Sequence, residues 1–397
     1  MKRSSGITPI NPKDINDLHQ TLPGGLSLEA LEILAEPMPL PNPEPTPTIN
    51  ADSAEARKVA GWGWIEDSFA WPASEPPQPD WLLVGPSSNG IGPGPGILPA
   101  GKVALLAAPG GTGKSYALAA LALALVTGRP WFGAEGMAVQ GWLHVRPPGG
   151  GRVAIIFGED DPSDVARRFY HQGKALSLTV EDRKRVTGRL LALGGSGRRF
   201  TLTTDENGTP PYSSTPEGRG LRRFLEETVQ RTGEAFRAII LDPLARFSPP
   251  DAEIDNHAAT RMIEALEGLT QSEALGKPLV LAAHHTRKAK DGDGDWAADA
   301  IRGASGLVDG ARWAARMRRI ESTVLPRGIH GLVEVRCVKS NVGSWPEPIK
   351  LARVEGGALR ALQPAELKML ESNEKPNTSA SKTPKDGKRV VWDGNES

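Results

Sequence analysis

One segment, APGGTGKS at positions 108–115, constrains the fold of this chain more than any other. It follows an apolar run at 103–107, typical of a buried strand, and precedes a helical pattern at 114–127. Glycines at this spacing let the backbone curl so that its N–H groups face a phosphate at a helix N-terminus. The spacing is that of a P-loop (Walker A motif), with alanine where glycine is usual at the first position. An ordinary glycine-rich turn is the alternative, and the strand–turn–helix context argues against it.

The P-loop predicts a bound nucleoside triphosphate with Mg²⁺. Lys114 is expected to contact the β- and γ-phosphates, and the Ser115 hydroxyl to hold Mg²⁺. The predicted nucleotide-binding residues are Gly110, Gly111, Thr112, Gly113, Lys114, Ser115 and Asp242.

Strand and helix patterns alternate along the rest of the core. Further strands are predicted at 153–158, 189–193, 238–241 and 279–283, and helices from Ser163, at 217–231 and at 256–275. This alternation indicates βαβ units and a mainly parallel sheet. Later strands, predicted without intervening helices, lie at 311–320, 332–338 and 349–354. The predicted fold is therefore α/β, a mainly parallel sheet flanked by helices with an antiparallel C-terminal extension.

Composition divides the chain of 397 residues into three parts, because 45 glycines and 35 prolines are many for one compact domain. Residues 1–75 are predicted to be mostly disordered, with one short helix at 26–34. Residues 76–362 form the predicted nucleotide-binding domain. Residues 363–397 form a predicted disordered, polar tail.

Charge, cysteine content and apolar runs limit the classes of protein to which this chain can belong. Lys plus Arg (47) balance Asp plus Glu (47), so nucleic-acid binding would need a local basic patch. The one cysteine, Cys337, excludes an internal disulfide and fits a cytoplasmic protein. The longest apolar run, 116–126, is too short to span a membrane, and the N-terminus lacks a signal-peptide core.

Carboxylates follow two of the predicted strands. Asp242 ends the strand at 238–241, where the second nucleotide motif orders the water shell of Mg²⁺. Glu159, Asp160 and Asp161 follow the strand at 153–158, and Glu159, which comes first, is the candidate that polarises the attacking water. The alternative is an N-cap cluster before a helix, a role that suits Asp161.

A polar triplet, His284–His285–Thr286, follows the strand at 279–283. A polar side chain here can sense the γ-phosphate by hydrogen bonding, and His285 is the candidate. A metal site is the rival interpretation, but no further His or Cys cluster supports it.

Basic residues follow the strand at 279–283, which is called the sensor strand because it leads to His285. An arginine that reaches a neighbouring subunit's γ-phosphate acts as a finger that stabilises transition-state charge. The candidates are Arg302, Arg312, Arg316, Arg318, Arg319 and Lys339. Arg316 and Arg318 alternate along a strand, so a solvated basic face is their alternative interpretation.

The segment at 287–300, RKAKDGDGDWAADA, is polar and glycine-containing. Its basic residues could contact phosphates, and Trp296 could stack on a base. Asp291, Asp293 and Asp295 argue against tight backbone binding, so a plain surface loop is an equal alternative.

Together, APGGTGKS, IIFGEDDP, IILDPLARF, LAAHHTRK, IRGASGLVDGARW and VKSNVG resemble the RepA-type hexameric replicative helicases of plasmids. Those proteins belong to the RecA-like AAA_25 group of ATPases. The resemblance covers about residues 80–355, and the combination of motifs is far more specific than the P-loop alone.

The resemblance implies a RecA-like fold and a ring of six subunits with ATP and Mg²⁺ bound between neighbours. It implies Glu159 on the attacking water, Asp242 on the metal, His285 as γ-phosphate sensor and Arg312 as a finger given in trans. It also implies single-stranded DNA as partner. The first 75 residues and the tail look like additions to the family core, and the loop after His285 is acidic here.

Three functions stay open. The first is an ATPase of the RepA-like helicase type that couples hydrolysis to movement on single-stranded DNA. The second is a recombinase-like or regulatory ATPase that binds DNA or a partner without unwinding. The third is a nucleotide-binding scaffold with little turnover.

Overall fold

The computed structural model describes residues 74–75, 77–86, 94–133, 144–145, 151–198, 200–203, 215–249, 252, 255–286, 305–322 and 324–373. The chain divides into two compact units, 1–76 and 77–397, and almost all described residues belong to the second. The helix predicted at 26–34, the segment at 287–300 and Arg302 lie outside the described residues.

A central sheet of nine strands is formed by the described residues. In spatial order its strands are β12 (Leu359–Ala361), β11 (Ile349–Arg353), β10 (Gly331–Ser340), β9 (Trp313–Ile320), β3 (Val103–Ala108), β8 (Leu279–His285), β7 (Phe236–Asp242), β5 (Arg152–Phe157) and β6 (Leu190–Gly194). The six strands from β9 to β6 pair in parallel, and β10, β11 and β12 add antiparallel. The predicted fold class, with its antiparallel C-terminal extension, is confirmed.

A second, antiparallel sheet precedes the P-loop. Its strands are β1 (Trp81–Val84), β2 (Gly96–Pro99) and the two-residue β4 (His144–Val145), in the order β2–β1–β4. These strands are not predicted from the sequence, because residues 76–100 are rich in Gly and Pro.

Helices cover both faces of the central sheet. They are α1 (Lys114–Thr127), α2 (Pro162–Ala175), α3 (Val180–Arg189), α4 (Pro216–Thr232), α5 (Asn256–Thr270), α6 (Ser305–Gly310) and α7 (Pro364–Asn373). The helix α1 is apolar all round and packs with α2 in one core cluster, whereas α4 and α5 pack in the other. An all-round apolar helix must be buried on every side, so α1 is held firmly behind the P-loop. No helix in the described parts of the chain is long and apolar enough to cross a membrane.

Two predicted boundaries are wrong. The helix predicted at 256–275 ends at Thr270, and a short 3₁₀ turn (Glu273–Leu275) follows, closed by Gly276 at φ 84°. The predicted disordered tail begins too early, because α7 occupies Pro364–Asn373. This helix buries Leu370 against a small apolar cluster, and Glu366 pairs with Arg360 at 2.6 Å. A short helix of this kind depends on the surface it packs against, which its own polar sequence does not reveal.

Candidate nucleotide-binding site

The P-loop connects the carboxyl end of β3 to the first turn of α1. Gly111 (φ 70°) and Gly113 (φ 109°) both adopt the left-handed conformation that disfavours side chains. Gly113 is also closely approached, since a Cβ atom there would lie 3.3 Å from Leu359 Cδ1. The first turn of α1 has no acidic residue and no side-chain cap, so its N–H groups suit an anion.

Lys114 lies in the centre of the site and is only 7% exposed. Its Nζ donates to Ala108 O at 2.9 Å and lies 3.3 Å from His285 Nδ1. Burial lowers the pKa of Lys114, while the negative charges of Asp242 and Glu159 act in the opposite direction. A bound phosphate would add negative charge beside this buried ammonium group and so favour its charged form.

Asp242 ends β7 and is buried beside the start of α1. Burial raises the pKa of Asp242, and a hydrogen bond from Ser115 and the charges of Arg168 and Lys114 oppose that shift. A carboxylate and a hydroxyl in contact are the hard oxygen ligands that Mg²⁺ uses together with substrate phosphates and water. The predicted metal residues, Ser115 and Asp242, are therefore adjacent and fit Mg²⁺ chemically.

The three acidic residues after β5 have separate environments. Glu159 Oε1 accepts from Arg246 Nε at 3.2 Å and is half exposed. Asp160 pairs with Arg168, whose guanidinium also lies 5.1 Å from the centroids of two aromatic rings. Asp161 Oδ1 caps α2 by accepting from the backbone N–H groups of residues 163 and 164 at 2.7 and 2.9 Å. Capping thus uses Asp161 and leaves Glu159 at the surface of the site, within electrostatic reach of Lys114.

His285 is brought to the P-loop by the parallel register of β8 on β3, in which it lies opposite Ala108. Successive side chains of a strand point to opposite faces, and His284 is accordingly buried on the other face. No group of three or more His, Cys, Asp or Glu side chains suited to a metal occurs among the described residues.

Arg312 does not join the other predicted residues within one chain. Its backbone N–H donates to Val103 O at 2.9 Å, at the start of β3, whereas the P-loop lies at the end of that strand. The length of β3 separates the two points by roughly 17 Å. Arg312 is exposed, and Lys339 lies near it, with Nζ donating to the carbonyls of Val308 and Asp309 at 2.8 and 2.7 Å. Burial, aided by the charge of Arg312, lowers the pKa of Lys339.

Arg316 and Arg318 of β9 do not form the solvated basic face that is the alternative interpretation of their alternation. Arg316 is only 8% exposed. Arg318 pairs with Glu334 at 3.1 Å.

Two arginines that sequence reasoning did not assign to the nucleotide lie at the P-loop. Arg319 Nη2 and Arg353 Nη1 donate to Gly111 O at 2.7 and 3.0 Å. Arg319 is among the finger candidates of the sequence, and no sequence motif points to Arg353. Their positions at the ends of two late strands become informative only when the sheet order is known.

A profile of the AAA_25 family, described as an AAA domain, matches residues 65–291. A solved structure described as a DnaB-like replicative helicase and its interactions with primase is similar in fold, with a TM-score of 0.44 and 13% sequence identity. That similarity covers 66% of this chain and 59%, less than two thirds, of the solved chain. Because the family profile spans more than half of the 397 residues, this protein belongs to the AAA_25 family of AAA-domain ATPases.

Proposed function

We propose that this ATPase is a cytoplasmic motor of the RepA-like replicative helicase type. In this proposal it forms a homo-oligomeric ring, a hexamer, and couples ATP hydrolysis to movement along single-stranded DNA. The observation that carries the proposal is the position of Arg312. This residue is exposed and lies beside the start of β3, whereas its own P-loop follows the end of that strand. An arginine finger at that position can only serve a nucleotide held by another subunit.

The surface around Arg312 supports contact between copies. Asn341 N donates to Arg312 O at 3.1 Å, so the loop that follows β10 lies beside the arginine. Val342 and Trp345 in this loop are 51% and 63% exposed. Exposed aromatic and apolar side chains beside an arginine have the composition of a protein–protein interface.

The residues around the P-loop have separate roles in phosphoryl transfer to water. Ser115 and Asp242 would hold Mg²⁺, and Lys114 would neutralise charge on the phosphates. Glu159 orients the attacking water and accepts its hydrogen bond, and His285 senses the γ-phosphate from β8. Mg²⁺ bound to the phosphates would stabilise the negative charge that develops during the reaction. The neighbouring subunit's Arg312 completes the site.

The test is an ATPase assay of the full chain with and without single-stranded DNA, together with its native mass and a strand-separation assay. Hydrolysis stimulated by DNA, a mass of several subunits and strand separation are expected. A monomer whose hydrolysis is indifferent to DNA would contradict the proposal.

The second candidate is the recombinase-like or regulatory ATPase. The acidic residues Asp291, Asp293 and Asp295, which follow the strand at 279–283 in the sequence, favour its regulatory form, which acts on a partner, because they repel a nucleic-acid backbone. Binding of DNA without strand separation would support the recombinase-like form. Negligible turnover despite tight nucleotide binding would instead support a scaffold.

A further inference from the structure

Two guanidinium groups from the antiparallel extension converge on one backbone oxygen of the P-loop. Arg319, one residue before the end of β9, and Arg353, at the end of β11, both donate to Gly111 O, at 2.7 and 3.0 Å. Arg319 is exposed and Arg353 is partly exposed. A neutral carbonyl is thus the shared acceptor of two positive charges.

Other arginines of the same part of the sheet have acidic partners. Arg318 and Arg336 pair with Glu334, and Arg360 pairs with Glu366. Within the described part of the chain, neither Arg319 nor Arg353 forms an ion pair. Two like charges held this close repel each other, so the pair has an excess of positive charge that an anion would neutralise.

The path of the backbone brings Arg319 and Arg353 close to Gly111. Arg316 lies opposite Ala107 in the β9–β3 register, so Arg319, three residues later, projects beyond the end of β3 towards the P-loop. A tight turn at 354–358 follows Arg353 and returns the chain to β12. Gly111 has no side chain to block the approach, since a Cβ atom there would lie 2.9 Å from Arg319 Nη2.

We propose that Arg319 and Arg353 are phosphate ligands given in cis, which bind the phosphate chain of the nucleotide held by the same subunit's P-loop. This rests on the proposed function only in taking that nucleotide as the ligand. Each guanidinium has five N–H donors, so one hydrogen bond to Gly111 O leaves others for phosphate oxygens. The planar fork matches phosphate geometry, and charge-assisted bonds to phosphate are stronger than bonds to a carbonyl.

The test compares Arg319→Ala, Arg353→Ala and the Lys variants of both with Arg222→Ala. Arg222 is an exposed arginine of α4 that pairs with Glu226 and lies outside the site. Its replacement by alanine changes the net charge by the same amount as the other two alanine substitutions. Dissociation constants for ATP, ADP, adenosine and inorganic tripolyphosphate are measured by competition with a fluorescent nucleotide. Each alanine substitution should raise the dissociation constants for ATP and tripolyphosphate by about tenfold, with little change in the dissociation constant for adenosine. The Lys variants should recover part of this loss because they keep the charge.

Affinities for ATP and tripolyphosphate equal to those of Arg222→Ala would overturn the proposal. An equal loss for ATP and adenosine, with a lowered melting temperature, would also overturn it, because a purely structural clamp on the P-loop behaves in that way. Should an alanine variant fail to fold, the comparison of the matching Lys variant with wild type decides by the same criteria. If the wild-type chain binds ATP but shows no DNA-coupled hydrolysis, the proposed motor fails while this assignment still stands on the binding data.

Discussion

At the scale of single residues, the site separates carboxylates by environment. Asp242 is buried with a raised pKa, Asp161 is used as a helix cap, and Glu159 is half exposed and paired with Arg246. Three acids that are similar in sequence therefore differ in the chemistry available to them. Each assignment can be tested by a substitution that preserves shape.

Glu159→Gln keeps the size of the side chain but removes the charge that would orient water. We expect kcat to fall by about 10²-fold or more, with ATP affinity changed by less than roughly threefold. Glu226→Gln, on α4, is the matched control and should leave kcat unchanged. Steady-state kinetics and nucleotide titration measure both quantities, and equal turnover in the two variants would remove Glu159 from the reaction.

Mg²⁺ binding should depend on pH through Asp242. Burial raises the pKa of this carboxyl, so protons compete with Mg²⁺ at pH values above the ordinary aspartate range. As pH falls through that raised pKa, Mg²⁺-dependent nucleotide affinity should drop about tenfold per pH unit. The sign for folding is the reverse: in the absence of Mg²⁺, the stability that protonated Asp242 contributes is lost as pH rises through the same pKa.

The measurement is nucleotide affinity against Mg²⁺ concentration at several pH values, for wild type and Asp242→Asn. Titration of the nucleotide itself is common to both proteins, so their difference isolates Asp242. Parallel pH profiles in the two proteins would show that Asp242 does not hold the ion.

At the scale of elements, α2 fixes the position of the acidic turn. Its N-cap, Asp161, is two residues from Glu159. Asp161→Ala removes two capping hydrogen bonds and should lower the free energy of unfolding by about 1 kcal/mol. Asp161→Asn can still cap and should cost less. Denaturant unfolding measures both, and equal losses would assign the effect to charge alone.

The strand β9 runs from the end of the sheet near Arg312 to the end near the P-loop. Arg312 precedes its first residue and Arg319 lies near its last, so roughly 23 Å of extended backbone separates them. One rigid strand thus connects the residue proposed to serve a neighbour's nucleotide with a residue proposed to bind its own.

At the scale of the whole molecule, a site shared between subunits predicts complementation. Lys114→Ala and Arg312→Ala should each be inactive alone, since every site lacks one component. Co-refolding the two variants in equal amounts should restore activity, because about one quarter of randomly formed interfaces then combine an intact Lys114 with an intact Arg312.

The control replaces the Arg312→Ala chain with a chain carrying both substitutions. Mixed with Lys114→Ala it can form no intact site, and its ATPase rate should stay at background. Recovery that is equal in the two mixtures, or absent from both, would argue against a finger given in trans.

The sequence by itself determined the α/β class, the P-loop strand and helix, and the placing of Asp242, Glu159 and His285 at the ends of parallel strands. Local signals are sufficient there, because the carboxyl ends of parallel strands share one edge of a sheet. Only the tertiary structure decided which edge holds Arg312 and that Arg319 and Arg353 meet at Gly111. It also decided that α7 packs against the sheet. Those contacts depend on strand order and on pairing between residues more than 200 positions apart, and no local periodicity encodes such partners.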